Sequence, residues 1–442
     1  MGVFFLNIKD NSKKINKGDI FIALDKGHNY IDDAIKNGAS LIIAEYGNYS
    51  AKTLIVKNTR KYLIKYLKDT YYNEIKDMNI IGITGTNGKT TTAYLIYQAL
   101  NLLGDKCAYI GTIGFYINDK VRDLNNTTPD LIDLYEMILE AKKEGCTNIV
   151  MEVSSHSLDQ RRVDAIKFNY ALFTNLTKEH LNYHKDMNKY FKAKKRLLKL
   201  LKNNGKIIIN DDDKYFKKIK RKSIRIGFNS KYKISDYKIK NNTSFIFNNK
   251  KYNMKLLGIY NVYNMSFCIK VLECMGYNNL NKIIKKLDPP SGRMEIVKYR
   301  NNSIIIDYAH TPDAVTKIIS AVREFSKNKI YIIIGCGGNR DISKRPLMAE
   351  IATSLSDYVI FTSDNPRFEN PLSILDDMTN KLENNNYEIV VNRKDAIKKG
   401  IHLLNNNDIL LLLGKGHERY QIIEDKKIYF SDLEEVELNI RR

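Results

Sequence analysis

Apolar and polar residues alternate in short runs along the first part of the chain. Residues 19–24 and 40–44 form two strand-like runs, and glycine-containing turns separate them. This pattern predicts a small α/β domain over residues 1–78. From residue 80 onward, apolar runs alternate with stretches whose apolar residues recur at helical spacing, which predicts a mostly parallel sheet covered by helices.

A proline-rich turn divides the remaining chain into two parts. Strand-like runs precede it at residues 80–84, 149–153, 171–175 and 206–210. The turn itself is Pro289-Pro290-Ser291-Gly292, which is typical of a linker. The strand and helix alternation then resumes, with apolar runs at residues 303–307, 330–335, 358–362 and 408–413. We therefore predict three α/β domains, over residues 1–78, 79–288 and 289–442, the last one Rossmann-like.

Length and composition restrict the class of protein. A chain of 442 residues with 43% hydrophobic residues can bury several cores and is too apolar to be disordered as a whole. No apolar run is long enough to span a membrane, and the first residues lack a signal-peptide pattern. The five cysteines form no C-x-x-C pair, which argues against a zinc knuckle or a disulfide framework. We expect a cytoplasmic protein with no membrane partner.

The formal charge of +22 raises the alternative of a nucleic-acid-binding protein. The lysines are spread over the whole chain rather than concentrated in one patch. The densest run, residues 189–202, has apolar residues at helical spacing, which predicts a helix with one solvated and one packed face. We therefore expect no nucleic-acid partner, although a basic P-loop ATPase that binds nucleic acid remains an alternative.

The strongest local motif is GITGTNGKTT at residues 82–91, between a strand-like run and a helical pattern. Backbone N–H groups in such a turn bind phosphate oxygens, and the helix N-terminus adds its dipole. Lys89 is expected to meet the terminal phosphates, and Thr90 to hold Mg²⁺. This predicts an ATP site in a central domain of the P-loop ATPase type. The generic motif has glycine where this chain has Ile83.

The form TGTNGKTT resembles the phosphate loop of the Mur ligase family, and most closely that of its UDP-N-acetylmuramyl-tripeptide synthetases. Further matches to that family follow in order along almost the whole chain. They lie at residues 127–129, 151–156, 173–176, 180–184, 190–194, 292–295, 307–313, 335–338, 364–367 and 414–418.

The resemblance implies an ATP-dependent amide ligase of peptidoglycan biosynthesis. The substrates would be ATP, UDP-N-acetylmuramoyl-L-alanyl-D-glutamate and an amino acid, with an acyl phosphate as the intermediate. It also implies that the N-terminal domain binds UDP, that the C-terminal domain receives the amino acid, and that the protein is a monomer. Phosphoryl transfer of this kind depends on charge neutralisation and on alignment of the reactants.

Two Mg²⁺ ions belong to the chemistry that the resemblance implies. Their ligands would be Thr90, Glu152, His180 and Lys194, with the lysine carried as a carbamate formed from CO₂ (N6-carboxylysine). Lys89, Glu152, His180 and Lys194 are the implied catalytic residues. Carboxylate and imidazole are plausible ligands for such an ion.

The same resemblance assigns contacts to the two nucleotides. The residues implied for ATP are Gly85, Thr86, Asn87, Gly88, Lys89, Thr90, Thr91, Asn261, Asn264, Arg293, Asp307, Tyr308 and His310. Those implied for the UDP-muramyl dipeptide are Ser12, His28, Asn29, Thr127, Thr128, Ser154, Gln160 and Arg162. The chain departs from the family where the usual Asp-Ser-Arg is Asn11-Ser12-Lys13. Arg293 comes from the third domain, so we expect domain closure to be part of the mechanism.

The residues implied for the amino acid are Arg340, Asp364, Asn365, Pro366, Arg367, Gly414 and Glu418. Arg367 matches the arginine that meets the distal carboxylate in diaminopimelate-adding relatives, which favours meso-diaminopimelate over L-lysine. Addition of L-lysine stays the alternative within the family, and the run 364–367 disfavours a ligase that adds glutamate to folate. A catalytically inactive scaffold is disfavoured by the intact Lys89, Thr90, Glu152, His180 and Lys194.

Overall fold

Three sheets and one hairpin organise the chain in a computed structural model that describes residues 6–240 and 242–441. Residues 1–5 of the first predicted domain, residue 241 and residue 442 lie outside the described residues. The predicted α/β class is confirmed. The sheets fall within the three predicted ranges, and the boundaries at residues 78 and 288 stay a prediction.

The first sheet is small and parallel, with the order β1-β2-β3-β4. Its strands are β1 (Ile8–Lys9), β2 (Ile20–Ile22), β3 (Leu41–Ala44) and β4 (Thr53–Ile55), and its helices are α1 (Ile31–Lys36) and α2 (Thr59–Ile75). Short 3₁₀ turns lie at Ser12–Lys14 and Asp25–Tyr30. Phe21, Ile31 and Ile42 are buried between the sheet and α1, so the alternating runs of the sequence become one packed layer.

The second sheet has eleven strands in the order β15-β14-β13-β12-β11-β10-β5-β9-β6-β7-β8. Its strands are β5 (Asn79–Thr84), β6 (Cys107–Gly111), β7 (Gly114–Ile117), β8 (Asp119–Arg122), β9 (Asn148–Glu152), β10 (Phe168–Phe173), β11 (Leu201–Asn210), β12 (Ile224–Gly227), β13 (Tyr232–Ile239), β14 (Thr243–Phe247) and β15 (Lys250–Met254). Its helices are α3 (Lys89–Leu102), α4 (Leu131–Lys143), α5 (Ser155–Asp159), α6 (Leu181–His184), α7 (Met187–Lys195), α8 (Ile259–Cys274) and α9 (Asn281–Ile284).

The centre of this sheet is parallel: β5 pairs with β9 on one side and β10 on the other. Apolar side chains of β5 enter cores on both faces, Ile80 on one and Ile81 and Ile83 on the other, as expected for a strand covered by helices on both sides. The carboxyl ends of β5, β9 and β10 therefore lie at one edge, where ligands of open α/β sheets bind.

The third sheet has the order β16-β17-β21-β18-β19-β20 and is parallel except at its edge strand β16. Its strands are β16 (Glu295–Tyr299), β17 (Asn302–Asp307), β18 (Ile330–Ile334), β19 (Tyr358–Phe361), β20 (Tyr387–Ile389) and β21 (Ile409–Leu413), and a hairpin follows with β22 (Tyr420–Ile423) and β23 (Lys426–Tyr429). Its helices are α10 (Pro312–Arg323), α11 (Lys344–Leu355), α12 (Pro371–Thr379), α13 (Arg393–His402) and α14 (Asp432–Ile440).

The helix predicted over residues 189–202 is wrong beyond Lys195. α7 ends there, Arg196–Leu200 forms a 3₁₀ turn, and Leu201 pairs with Phe168 as the first residue of β11. The leucines are buried as expected, but they fill the junction between a helix and a strand. Lys194 is 1% exposed, so it does not belong to the solvated face of the helix.

Candidate active site

The phosphate-loop motif forms the connection between β5 and α3. Gly88 is the N-cap of α3 with φ 82°, and a Cβ atom there would collide with the side chain of Asn264. A Cβ atom at Gly85 would collide with the hydroxyl of Thr174. Both glycines are therefore needed for the close approach of this loop to its neighbours. The N-terminus of α3 points its free N–H groups into the same edge.

Three cations converge on this loop. The Lys89 ammonium donates to the carbonyls of Gly85 and Thr86 at 3.0 and 2.8 Å, and Lys194 Nζ donates to the same Gly85 carbonyl at 2.8 Å. Arg293 Nη2 donates to Thr90 Oγ1 at 3.4 Å, while its buried Nε has no partner among the described residues. Burial lowers the pKa of Lys89, and burial followed by the charge of Lys89 lowers the pKa of Lys194 well below its ordinary value.

Glu152, the last residue of β9, is fully buried and carries several hydrogen bonds. Its Oε1 accepts from the Tyr109 hydroxyl at 2.6 Å and from Thr112 N at 2.8 Å. Its Oε2 accepts from the hydroxyls of Thr90 and Thr112 at 3.0 and 3.2 Å. A hydroxyl can rotate to release its acceptor, so Oε2 is the oxygen that a ligand beside Thr90 could take over. A Cβ atom at Gly111 would collide with this carboxylate.

Two histidines face each other across the crevice between the second and third sheets. His180 precedes α6 with φ 54°, and the carboxylate of Glu179 lies between His180 Nε2 and His310 Nε2 at 3.9 and 3.7 Å. Burial lowers the pKa of His180, and the nearby His156 and Lys89 add to this. Burial also lowers the pKa of His310. Both imidazoles are therefore neutral at pH 7 and can act as ligands or hydrogen-bond acceptors.

The described residues contain no group of three or more His, Cys, Asp and Glu that could hold a metal ion. Thr90 and Glu152 would nevertheless suit a magnesium ion as protein ligands, because Mg²⁺ is usually held by one or two carboxylates, waters and substrate phosphates. A protonated lysine would repel the ion, so the Lys194 side chain suits it only after losing its positive charge.

A cavity of about 420 Å³ adjoins the phosphate loop. Seven of the residues predicted to contact ATP line it: Asn87, Gly88, Thr91, Asn261, Asn264, Arg293 and Asp307. Asn264 bridges the Thr92 hydroxyl and Asn261 by hydrogen bonds of 3.1 and 2.9 Å, which fixes the orientation of both amides. The cavity is partly enclosed and combines a mainly apolar lining with a few polar groups, as small-molecule sites usually do.

Six predicted ATP contacts do not line this cavity: Gly85, Thr86, Lys89, Thr90, Tyr308 and His310. Tyr308 instead places its ring against the Arg293 guanidinium, 4.5 Å from the ring centroid, and stabilises it by a cation–π contact. Asp307 fixes the backbone next to Arg293, because its two carboxylate oxygens accept from Met294 N and Ala309 N, each at 2.8 Å. Sequence reasoning missed Tyr260, Thr177 and Lys317. All three line the cavity but lie outside the motifs recognised in the sequence.

Five residues predicted for the muramyl peptide lie close to Glu152 or to the helix after it. Thr128 Oγ1 donates to the Glu152 carbonyl at 2.9 Å and accepts from Ser154 N at 3.0 Å. Arg162 Nη1 donates to the Thr128 carbonyl at 3.2 Å. Thr127 shares a hydrogen bond of 3.1 Å with Thr112, and Gln160 donates to the Tyr183 hydroxyl at 3.4 Å. Sequence reasoning missed Tyr109, which lies on the buried strand β6, and Thr112, which directly follows that strand; β6 pairs with β9, the strand that ends at Glu152.

The residues predicted near the uracil are not all brought together. A second cavity, of about 970 Å³, is bordered by Ser12 but not by His28 or Asn29. His28 Nε2 accepts from Glu45 N at 3.1 Å, and Nδ1 lies 3.3 Å from the Asp25 carbonyl, so backbone groups occupy both ring nitrogens. Arg60 also borders this cavity, although it belongs to no motif recognised in the sequence.

The residues predicted for the amino acid follow the carboxyl ends of β18, β19 and β21, which are neighbours in the third sheet. Asn365 Nδ2 donates to Glu418 Oε2 at 2.8 Å, and Arg367 Nη1 donates to the Gly338 carbonyl at 2.9 Å. Arg367 and Arg340 both lie beside Gly337, and burial and the charge of Arg340 lower the pKa of Arg367. Gly414 packs so closely against Asp364 that a Cβ atom at position 414 would collide with the Asp364 carboxylate. Pro366 connects Asn365 to Arg367.

Lys415 belongs to this cluster and was missed as a site residue. It is fully buried, and its ammonium donates to Glu418 Oε2 at 3.2 Å and to Asn365 Oδ1 at 3.3 Å. Burial and the charge of Asp364 raise the pKa of Glu418, whereas Lys415 and Asn365 act in the opposite direction. The sequence run 414–418 contained the lysine, but nothing in that run distinguished a buried lysine from a solvated one.

Comparison with known proteins shows the family to which the chain is similar. A family model described as Mur ligase middle domain matches residues 83–272, and one described as Mur ligase, glutamate ligase domain matches residues 292–416. A UDP-N-acetylmuramoyl-L-alanyl-D-glutamate–2,6-diaminopimelate ligase of Clostridium tetani is 40% identical over 456 residues, which cover 97% of this chain and 93% of that protein.

Solved structures extend the comparison. A ligase of the same name is 30% identical to this chain, with a TM-score of 0.69 over 99% of this chain and 95% of that one. The MurF ligase of Thermotoga maritima in complex with ADP has the same TM-score at 17% identity, over 98% of this chain and 97% of that one. The second likeness shows the fold alone. Within the described residues, no helix combines the length and apolarity that crossing a membrane requires.

Proposed function

Since the chain belongs to the Mur ligase family, we propose that it is an ATP-dependent amide ligase that adds meso-diaminopimelate to UDP-N-acetylmuramoyl-L-alanyl-D-glutamate. The reaction is a step of peptidoglycan synthesis and therefore serves cell-wall biogenesis, cell shape and cell division. We place it in the cytoplasm, in keeping with the free cysteines of the chain, and assign it to a monomer.

One observation carries the proposal: contacts link the three predicted subsites in an unbroken series. Thr128, on the muramyl side, bonds to the Glu152 carbonyl, and the Glu152 carboxylate bonds to Thr90 of the phosphate loop. Thr90 meets Arg293, and the adjacent Gly292 packs directly against Gly416 and His417 of the amino-acid loop. A carboxylate, a γ-phosphate and an amine bound at these places would be neighbours, as a ligation requires.

The proposed chemistry begins with activation of the D-glutamate side-chain carboxylate. Its oxygen attacks the γ-phosphorus of ATP, the bond to the β-phosphate oxygen breaks, and ADP leaves. The amine then attacks the acyl phosphate, and the products are the amide and inorganic phosphate. The Lys89 ammonium exchanges its carbonyl partners for phosphate oxygens, and Arg293 supplies a second positive charge from the third domain.

We further propose that two Mg²⁺ ions bind with Thr90, Glu152, His180 and a Lys194 carbamate as protein ligands. When bound, these ions would neutralise the phosphate charge. The lowered pKa of Lys194 supports the carbamate, because a neutral amine attacks CO₂ and releases one proton as the anion forms. The anion would also compensate the nearby charge of Lys89.

The remaining residues would bind and orient substrates. We propose that Asn87, Asn261 and Asn264 contact ATP, that Thr127, Thr128, Ser154, Gln160 and Arg162 contact the muramyl peptide, and that Arg340, Asn365, Arg367 and Glu418 contact the amino acid. The arrangement of Arg367 beside Arg340 supports recognition of a carboxylate, since two adjacent cations are stabilised by an anion between them.

A test of the function is ADP release measured with each substrate omitted in turn. Full turnover is expected only with ATP, the UDP-muramyl dipeptide and meso-diaminopimelate together. ADP release that needs no nucleotide-peptide, or that nucleic acid stimulates, would contradict the proposal.

A further inference from the structure

Asp313, in the first turn of α10, makes a contact that the proposed chemistry does not use. Its Oδ2 accepts from Asn87 Nδ2 of the phosphate loop at 2.6 Å and from the Thr177 hydroxyl at 3.3 Å. Lys317 donates to the same oxygen at 2.7 Å. The carboxylate of a helix on the third sheet is therefore bonded to two loops at the edge of the second sheet.

The position of Asn87 makes this contact informative. Its backbone is held entirely by the second-sheet side: Asn87 N donates to Asn175 Oδ1 at 2.9 Å, and Asn87 O accepts from Thr174 Oγ1 at 2.7 Å. Its side-chain amide reaches the opposite side instead, to Asp313. One residue of the phosphate loop thus has its backbone fixed by one domain and its side chain by the other.

The contact also borders the nucleotide cavity, which Asn87, Thr177 and Lys317 all line. It is shorter than the two other polar contacts across this crevice already described, Arg293 to Thr90 at 3.4 Å and His310 to Glu179 at 3.7 Å. The carboxylate is favourably placed at the positive end of α10, and a hydrogen bond to a charged acceptor is stronger than one between neutral groups.

We propose that Asp313 is a positioning residue that couples closure of the third domain over the nucleotide to the conformation of the phosphate loop, through Asn87. This inference rests on the proposed function for its catalytic readout. It predicts that Asp313 affects turnover and closure more than it affects affinity for the amino acid, because Asp313 belongs to none of the amino-acid contacts.

The test compares Asp313→Ala, Asp313→Asn, Asn87→Ala and the double variant Asp313→Ala/Asn87→Ala with the parent. The matched control is Asp376→Ala. Asp376 is an exposed aspartate on α12, which like α10 is a helix of the third sheet. Asp313→Ala should lower kcat roughly tenfold to a hundredfold, as expected for a lost hydrogen bond to a charged group, with KM for the amino acid within about threefold of the parent. Asp313→Asn, which keeps an acceptor, should recover part of the loss. The double variant should be no slower than Asn87→Ala alone, within about twofold.

A second readout does not depend on ligation. Small-angle X-ray scattering with and without ADP measures nucleotide-induced compaction, which should be weaker in Asp313→Ala than in the parent and the control. The coupling would be overturned if the losses of kcat in Asp313→Ala and Asn87→Ala multiplied in the double variant. It would also be overturned if Asp313→Ala compacted with ADP as much as the parent does. A parent that compacts with ADP but ligates nothing would instead count against the proposed function alone.

Discussion

The two buried charge clusters of the active crevice differ in composition. Around the phosphate loop, Lys89, Lys194 and Arg293 converge, two of them on backbone carbonyls and one on a hydroxyl. A nearby carboxylate, Glu152, already accepts hydrogen bonds from neutral donors. Around the amino-acid loop, the buried Lys415 is paired with Glu418, and Asn365 bridges the two.

This difference indicates what each cluster binds. Cations that lack anionic partners gain most when a polyanion enters, which suits ATP and a carbamate. A cluster of paired charges with one pair of adjacent arginines suits a zwitterion that brings an additional carboxylate. The following substitutions test whether the two clusters work in these different ways.

The largest effect is expected for Lys194→Ala, which removes the group proposed to become an anion. Ligation should fall by about four orders of magnitude or below detection, since the charge balance of phosphoryl transfer is lost. A small added carboxylate should restore part of the rate, and the exposed neighbour substitution Lys195→Ala should have no effect. Full activity of Lys194→Ala would refute the carbamate.

Lys89→Ala is expected to follow, with a loss of about a thousandfold in acyl-phosphate formation, because one cation of the first cluster no longer meets the phosphates. Single-turnover release of ADP measures this step. Lys106→Ala, an exposed residue just before β6 of the same sheet, serves as the control. Unchanged ADP release by Lys89→Ala would show that ATP is bound elsewhere.

Arg367→Ala addresses the second cluster and should change selectivity more than rate. The parent should prefer meso-diaminopimelate over L-lysine by roughly a hundredfold in kcat/KM, because lysine leaves the half-buried arginine fork without its carboxylate. The alanine variant should lose that preference, and Arg367→Lys, which retains charge but not the fork, should keep part of it. An unchanged ratio in Arg367→Ala would remove this arginine from substrate selection.

The smallest effect concerns pH. Burial and Asp364 raise the pKa of Glu418 above its ordinary 4.5, so the carboxyl takes up its proton at a higher pH than an exposed glutamate. We assign Glu418 as the partner of the ammonium at the distal end of the amino acid. As the pH falls, KM for meso-diaminopimelate should therefore begin to rise while the pH is still above 4.5, because the protonated carboxyl no longer offers that ammonium an anion. Glu418→Gln should have a raised KM that lacks this rise. The same pH dependence in both proteins would contradict the assignment.

The sequence predicted the first cluster better than the second. The phosphate loop has strict backbone requirements, so its glycines and its Gly-Lys-Thr ending identify it from local sequence alone. Glu152 is the last residue of a strand that the apolar run before it predicts. Lys415 and Asp313 could not be assigned from local sequence, because burial and contacts across 226 positions depend on tertiary packing. The helix predicted to Lys202 was wrong because apolar spacing does not distinguish a helical face from leucines that enter a strand.

The most direct test of the proposed function is a competition with equal concentrations of meso-diaminopimelate and L-lysine, together with ATP and the UDP-muramyl dipeptide. Mass spectrometry of the nucleotide-linked product identifies which amino acid has been joined. We predict the diaminopimelate tripeptide in excess by roughly a hundredfold, because the product ratio at equal concentrations equals the ratio of kcat/KM assigned to Arg367. A product that contains mainly lysine, or no joined product while ADP accumulates, would contradict the account.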